Sequence, residues 1–145
     1  MSTSRRQSRE FALQVLYQVD LSGVTPQQAL ASFWQVFEPK ANSREFTNEL
    51  VEGTWRERER IDKMIANVAE NWRLGRLPRV ELNLLRLGVY EILSYPQLSP
   101  GVTINEAIEI ARLYCGDEAP TFINGVLDRV ATMVGKKAQG HESSE

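Results

Sequence analysis

Residues 78–94, PRVELNLLRLGVYEILS, decide how the chain is read. Leu82, Leu84, Leu85, Leu87, Val89, Tyr90, Ile92 and Leu93 fall on every side of a helix that turns about 100° per residue. A surface helix leaves one face polar, so a helix that is apolar almost all round belongs at the centre of a core. Arg86 sits in the middle of it. A guanidinium there needs a carboxylate or carbonyl groups around it, and Glu91 and Glu106 are the expected partners.

Outward from this helix, the chain is punctuated by helix caps. Ser4 with Gln7, Thr25 with Gln28, Asn42 with Glu45 and Thr103 with Glu106 all have the spacing of a capping box. Pro26 falls at a first helical position, where its missing N–H costs nothing. Asp117 is placed to cap the last helix, with Pro120 in its first turn. Helices are predicted at 4–21, 25–37, 43–56, 58–73, 78–94, 103–114 and 118–134. Gly23, Gly75, Gly101 and Gly116 lie at or near the breaks. No stretch alternates with period two for long, so the fold class is all-α, with about seven helices. The loop SYPQLSPG at 94–101, with two prolines, is the expected hinge between subdomains. The tail 135–145, GKKAQGHESSE, is polar and predicted to be disordered.

Composition narrows the function. A chain of 145 residues suits one or two small domains. Its 42% hydrophobic and 25% charged residues are ordinary for a soluble globular protein. No apolar run approaches the ~20 residues of a membrane span, and no secretory signal is visible. A net charge of −2 and a pI near 5.6 argue against a protein that coats nucleic acid over its whole surface, but not against a local basic site. The single cysteine, Cys115, rules out an intramolecular disulfide and fits a reducing cytoplasm. Cys115 reads as a small core residue. The one histidine, His141, lies in the tail. Zinc spacing, a glycine-rich phosphate loop and a nucleophile elbow are all missing from the sequence. Glu106 and Glu109 share a helix face, which capping and surface pairing explain. No catalytic residue, metal or cofactor is expected.

The feature that asks for a ligand is SRRQSREFALQVLY at 4–17. Phe11, Ala12, Val15, Leu16 and Val19 form a core face. Arg6, Arg9, Leu13 and Tyr17 form a stripe beside it, with Arg5 at the exposed end. Guanidiniums bind phosphates and stack on bases, and an aromatic ring gives an unpaired base a platform. Arginines also solubilise helix ends, and the pattern alone favours that plainer role.

The motifs RRQSREFALQVLYQVD (5–20), LVEG (50–53), ELNLLRLGVYEIL (81–93), VTINEAIEIARLY (102–114) and FINGVLDRVA (122–131) together resemble the NusB family of transcription antitermination factors. They occur in the family's order over nearly the whole chain, and INEAIEIA and FINGVLD are the most specific. The resemblance implies one helical domain over 1–134, built from two three-helix subdomains at about 1–75 and 78–134. With so thin an inventory of catalytic side chains, an enzyme is not expected. The resemblance implies binding of boxA-like single-stranded RNA together with the ribosomal protein NusE, within the RNA polymerase antitermination complex, in support of ribosomal RNA transcription. The RNA-binding positions it implies are Arg5, Arg6, Arg9, Tyr17, Glu118 and Phe122. Gln7 and Ser8 interrupt a basic run that is often longer in the family. The partner-binding positions are Glu81 and Arg86, with an internal ion pair equally open for Arg86. Members occur as monomers and as homodimers. Asn105 and Asn124 read as polar residues that fix helix packing, and Gly125 as the point where two helices approach closely.

Two other classes of protein compete with this reading. A similar fold precedes the catalytic domain of some ribosomal RNA cytosine methyltransferases; the short charged tail after FINGVLDRVA leads to the expectation that none follows here. A protein-interaction module without RNA binding would leave Arg5, Arg6 and Arg9 as solvation alone.

Overall fold

The computed structural model describes residues 2–37, 41–69 and 74–135. Among them are seven α-helices, one short 3-10 turn and no strand. The helices are α1 Ser2–Ser22, α2 Pro26–Val36, α3 Ala41–Arg56, α4 Arg58–Val68, α5 Arg79–Ser94, α6 Pro100–Tyr114 and α7 Ala119–Met133, with the 3-10 turn at Leu74–Arg76. None of these helices is long and apolar enough to cross a membrane.

The chain forms two compact units, Met1–Glu57 and Arg58–Glu145. The division falls at Glu57, earlier than the 75–78 stretch expected, because α4 packs on α5 and α7. SYPQLSPG is therefore not a hinge between units: the helices on either side of it, α5 and α6, pack against each other. The fourth helix ends at Val68 rather than continuing to 73, and residues 70–73 lie outside the described residues. So do 136–145, which hold His141 and most of the tail expected to be disordered.

In the first unit, α1 packs on both α2 and α3. Its Ala12, Val15, Leu16 and Val19 are buried with Ala29, Leu30 and Trp34 of α2 and Leu50 and Val51 of α3. Phe11 joins an aromatic cluster, 5.0 Å from Phe33, 5.9 Å from Trp34 and 5.4 Å from Phe37 between ring centroids. Trp34 Nε1 donates to Asn48 Oδ1 at 2.7 Å, so the indole is buried without losing its hydrogen bond. The expected box at the start of α2 is present: Gln28 N donates to Thr25 Oγ1 at 3.1 Å, and Thr25 N to Gln28 Oε1 at 3.0 Å.

In the second unit, every residue of α5 from Leu82 to Ile92 is buried, as its pattern requires. Burying each of its leucines contributes ~1.5–3 kcal/mol. α5 packs on α4, α6 and α7. Gly88 is a point of close approach: a Cβ there would lie 2.9 and 3.0 Å from the δ carbons of Leu127 on α7. At Gly125, the expected site of close approach, an added Cβ would meet nothing within 4 Å. Arg129 Nη1 on α7 donates to the carbonyl of Val68 at 3.1 Å and so satisfies a carbonyl at the end of α4.

Two predicted caps are replaced. Ser99, with extended backbone, is the N-cap of α6, and Pro100 takes the first position. Thr103 is thus inside the helix, buried, and its hydroxyl donates to Glu91 Oε1 at 3.4 Å. Glu118 rather than Asp117 is the N-cap of α7, with helical backbone and no side-chain capping bond. Gly116 before it has φ of 89°, a left-handed conformation that suits glycine. α1 and α3 begin at Ser2 and Ala41, ahead of the expected caps Ser4 and Asn42.

Candidate functional site

The start of α1 is set by two hydrogen bonds across to α3. Ser8 Oγ donates to the carbonyl of Ser43 at 3.2 Å, and Thr47 Oγ1 donates to the carbonyl of Ser8 at 3.1 Å. All three residues are buried. The serine that interrupts the arginine cluster is therefore the small polar residue that lets two helices meet. This contact places Phe46 of α3 beside the arginines. The guanidinium carbon of Arg5 lies 4.1 Å from the centre of the Phe46 ring, and that of Arg9 lies 5.7 Å from it, both within cation–π range.

The arginines do not share one environment. Arg5 is exposed and Arg6 is half-buried, but Arg9 is only 5% exposed. Leu13, expected beside the core, is inside it. For Arg9 the neighbour is α3, whose Phe46 ring lies 5.7 Å from its guanidinium carbon. Arg9 sits against α3 and has little surface to offer a ligand. Tyr17, 37% exposed, remains on the open flank. It lies on the same stripe as Arg6, three turns or about 16 Å further along the helix.

At the start of α7, Glu118 is exposed and Phe122 is half-buried. Arg112, Gly116, Asp117, Pro120 and Thr121 line an open groove of about 370 Å³. Its cation, Arg112, is held by Glu109 at 2.8 Å. A helix N-terminus attracts anions, but here Asp117 and Glu118 oppose one. The chemistry left to this edge is aromatic and hydrogen-bonding rather than ionic.

Of the two residues that the resemblance assigns to a protein partner, Arg86 is internal. It is 5% exposed, its Nε and Nη2 each donate to Asp62 of α4 at 2.8 Å, and its Nη1 donates to Asn83 Oδ1 at 3.1 Å. The bidentate carboxylate comes from Asp62 rather than from Glu91 or Glu106, the partners expected from the sequence. Glu81 is at the surface end of the same helix and half-buried. Burial raises its pKa above the ordinary 4.5. Cys115 lies close enough to feel that carboxylate: burial first, and the charge of Glu81 second, push its thiol up to about 11. The thiol is therefore protonated at neutral pH and a poor nucleophile.

Sequence reasoning passes over three residues with structural roles: Phe46, Asp62 and Gly88. Gly88 carries a signal, since a glycine inside an otherwise unbroken apolar helix marks a close approach. Phe46 and Asp62 carry none, because each gains its role from another helix. Among the described residues, no group of three or more His, Cys, Asp or Glu side chains is placed to hold a metal ion.

The comparisons with known proteins agree with this architecture. The transcription antitermination protein NusB of Myxococcus xanthus (strain DK1622) is 41% identical over 138 residues, covering 92% of this chain and 98% of that protein. The solved structure of T. maritima NusB superposes with a TM-score of 0.80 at 32% identity, covering 88% of this chain and 90% of that one. A chain from the crystal structure of antitermination factors NusB and NusE in complex with double-stranded RNA superposes with a TM-score of 0.81 at 30% identity, covering 92% of this chain and 99% of that one. The profile of the NusB family matches residues 6–132, and the chain belongs to that family.

Proposed function

We propose that this protein is an RNA-binding adaptor of transcription antitermination: it binds boxA-like single-stranded RNA together with the ribosomal protein NusE, as part of an RNA polymerase complex that supports ribosomal RNA transcription. The observation that carries the reading is the flank of α1, where exposed Arg5, half-buried Arg6 and exposed Tyr17 stand at one edge of an acidic chain whose family includes a NusB solved with NusE and RNA. Arg5 and Arg6 supply phosphate contacts, and Tyr17 supplies a face for an unpaired base. Arg9 is buried beside the Phe46 ring that Arg5 also meets. Glu118 and Phe122 add contacts at the start of α7.

Glu81 faces the NusE partner, and a desolvated carboxylate is suited to a cationic partner that neutralises it. Arg86 acts at one remove, holding α4 against α5 through Asp62. The role asks for positioning rather than bond-making, so the protein is not an enzyme and works in the cytoplasm, where nascent RNA is made.

Because the net charge of −2 opposes RNA, binding rests on few contacts and gains from a partner's added surface. Fluorescence anisotropy of a labelled boxA-like RNA strand, titrated with the protein alone and with the NusE complex, tests this. Tighter binding by the complex is expected. Equal binding would remove NusE from the account, and no binding by either would remove RNA.

A further inference from the structure

We infer that Phe46 is a positioning residue for RNA: its ring holds the Arg5 guanidinium in place, ready for a phosphate. The inference rests on the proposal that the α1 flank binds RNA, and it adds a residue from a different helix. Arg5 is at the exposed start of α1, where a long side chain would ordinarily sample many rotamers. Here its guanidinium carbon lies 4.1 Å from the centre of the Phe46 ring. A ring attracts a cation through its face without taking up the strong N–H···O bonds that a carboxylate would. The cation is thus restrained while its donors stay available to a phosphate. A carboxylate at the same place would neutralise Arg5 and compete with RNA.

The ring is itself fixed before any RNA arrives. Phe46 lies on α3 between Ser43 and Thr47, the two residues tied to Ser8 of α1 by hydrogen bonds of 3.2 and 3.1 Å. The buried Arg9 lies 5.7 Å from the same ring. These contacts set the distance between ring and helix start, so the Arg5 pose belongs to the folded unit and need not be organised by the ligand. An aromatic ring at position 46, rather than any apolar side chain, is what this geometry uses.

The test is RNA binding by Phe46→Leu, Phe46→Tyr, Arg5→Gln and the double variant Phe46→Leu/Arg5→Gln, each with the same labelled boxA-like strand. Phe46 is half-buried, so leucine keeps most of its packing. Phe46→Leu should weaken binding ~2–5-fold, the size of an exposed cation–π contact. Phe46→Tyr, which keeps the ring, should bind as the unchanged protein does. In the Arg5→Gln background, Phe46→Leu should have no further effect. A purely structural role would persist in that background, so equal weakening there would overturn the inference. So would an unchanged affinity for Phe46→Leu when Arg5→Gln alone weakens binding. If Arg5→Gln alone changes nothing, the RNA reading of Arg5 fails first, and the role of Phe46 falls with it.

Discussion

Replacing Asp62 with alanine asks whether Arg86 is a structural cation. The substitution leaves Arg86, a residue only 5% exposed, without the carboxylate that accepts two hydrogen bonds of 2.8 Å from it. Breaking a buried ion pair by removing one member costs ~3–5 kcal/mol. Two features place this case at the lower end. The Asp62 side chain is 27% exposed, so water screens part of the pair, and Asn83 Oδ1 keeps its 3.1 Å bond to Arg86 Nη1. A loss of about 3 kcal/mol is therefore expected, read by urea denaturation followed by circular dichroism. Removing both charges with Asp62→Leu and Arg86→Leu should recover most of that loss, because an apolar pair replaces a buried ion pair at little cost. A loss below about 1 kcal/mol for Asp62→Ala is the behaviour of a solvated surface pair and would refute the internal role assigned to Arg86.

Three other perturbations separate packing, electrostatics and recognition. Gly88→Ala should lose ~1–3 kcal/mol of stability, since its Cβ would meet the buried Leu127 at 2.9 Å, whereas Gly125→Ala should be neutral or gain up to ~1 kcal/mol of helix propensity; thermal melts that rank the two the other way would contradict the α5–α7 packing. Glu81→Gln should stabilise the protein at neutral pH: the raised pKa means the folded state binds the proton more tightly, so the cost of the ionised carboxylate sets in as pH rises from about 4.5 through the raised value, and the advantage of glutamine should vanish in acid. The same change should weaken NusE binding, and destabilisation at neutral pH would mean the carboxylate has a structural partner. Tyr17→Ala should lose ~1–3 kcal/mol of RNA affinity with no change in salt dependence, and a fall in melting temperature instead would make Tyr17 a core residue.

What could be read from the sequence was whatever a single helix displays. The burial of α5 follows from its own pattern, because eight large apolar residues spread round one helix leave it no polar face. The box of Thr25 and Gln28 was legible for the same reason: both halves lie within four residues. Misreadings arose where a second helix decides the outcome. The stripe of Arg6, Arg9, Leu13 and Tyr17 is continuous on a wheel, yet Arg9 and Leu13 are buried, Arg9 beside Phe46 of α3, and Tyr17 stays open. Thr103 has the spacing of a cap, but Ser99 and Pro100 start the helix a turn earlier and commit the threonine to Glu91. Among 19 acidic residues, nothing local marks Asp62 as the partner of a residue 24 positions away. The candidate site was legible in its arginines and tyrosine, while its supporting ring, Phe46, became visible only when α1 met α3.

The central claim is that the opening arginines hold RNA rather than solvate a helix end. Because Arg9 is buried, the direct test uses Arg5→Gln with Arg6→Gln and leaves the core of the unit intact. The measurement is the affinity of the NusE complex for a boxA-like RNA strand as a function of salt. Each phosphate contact on a single strand contributes ~0.7 to the log–log slope, so losing two contacts should flatten it by about 1.4 and weaken binding at low salt. An unaltered affinity and slope in the double variant would contradict the account and leave those arginines as solvation.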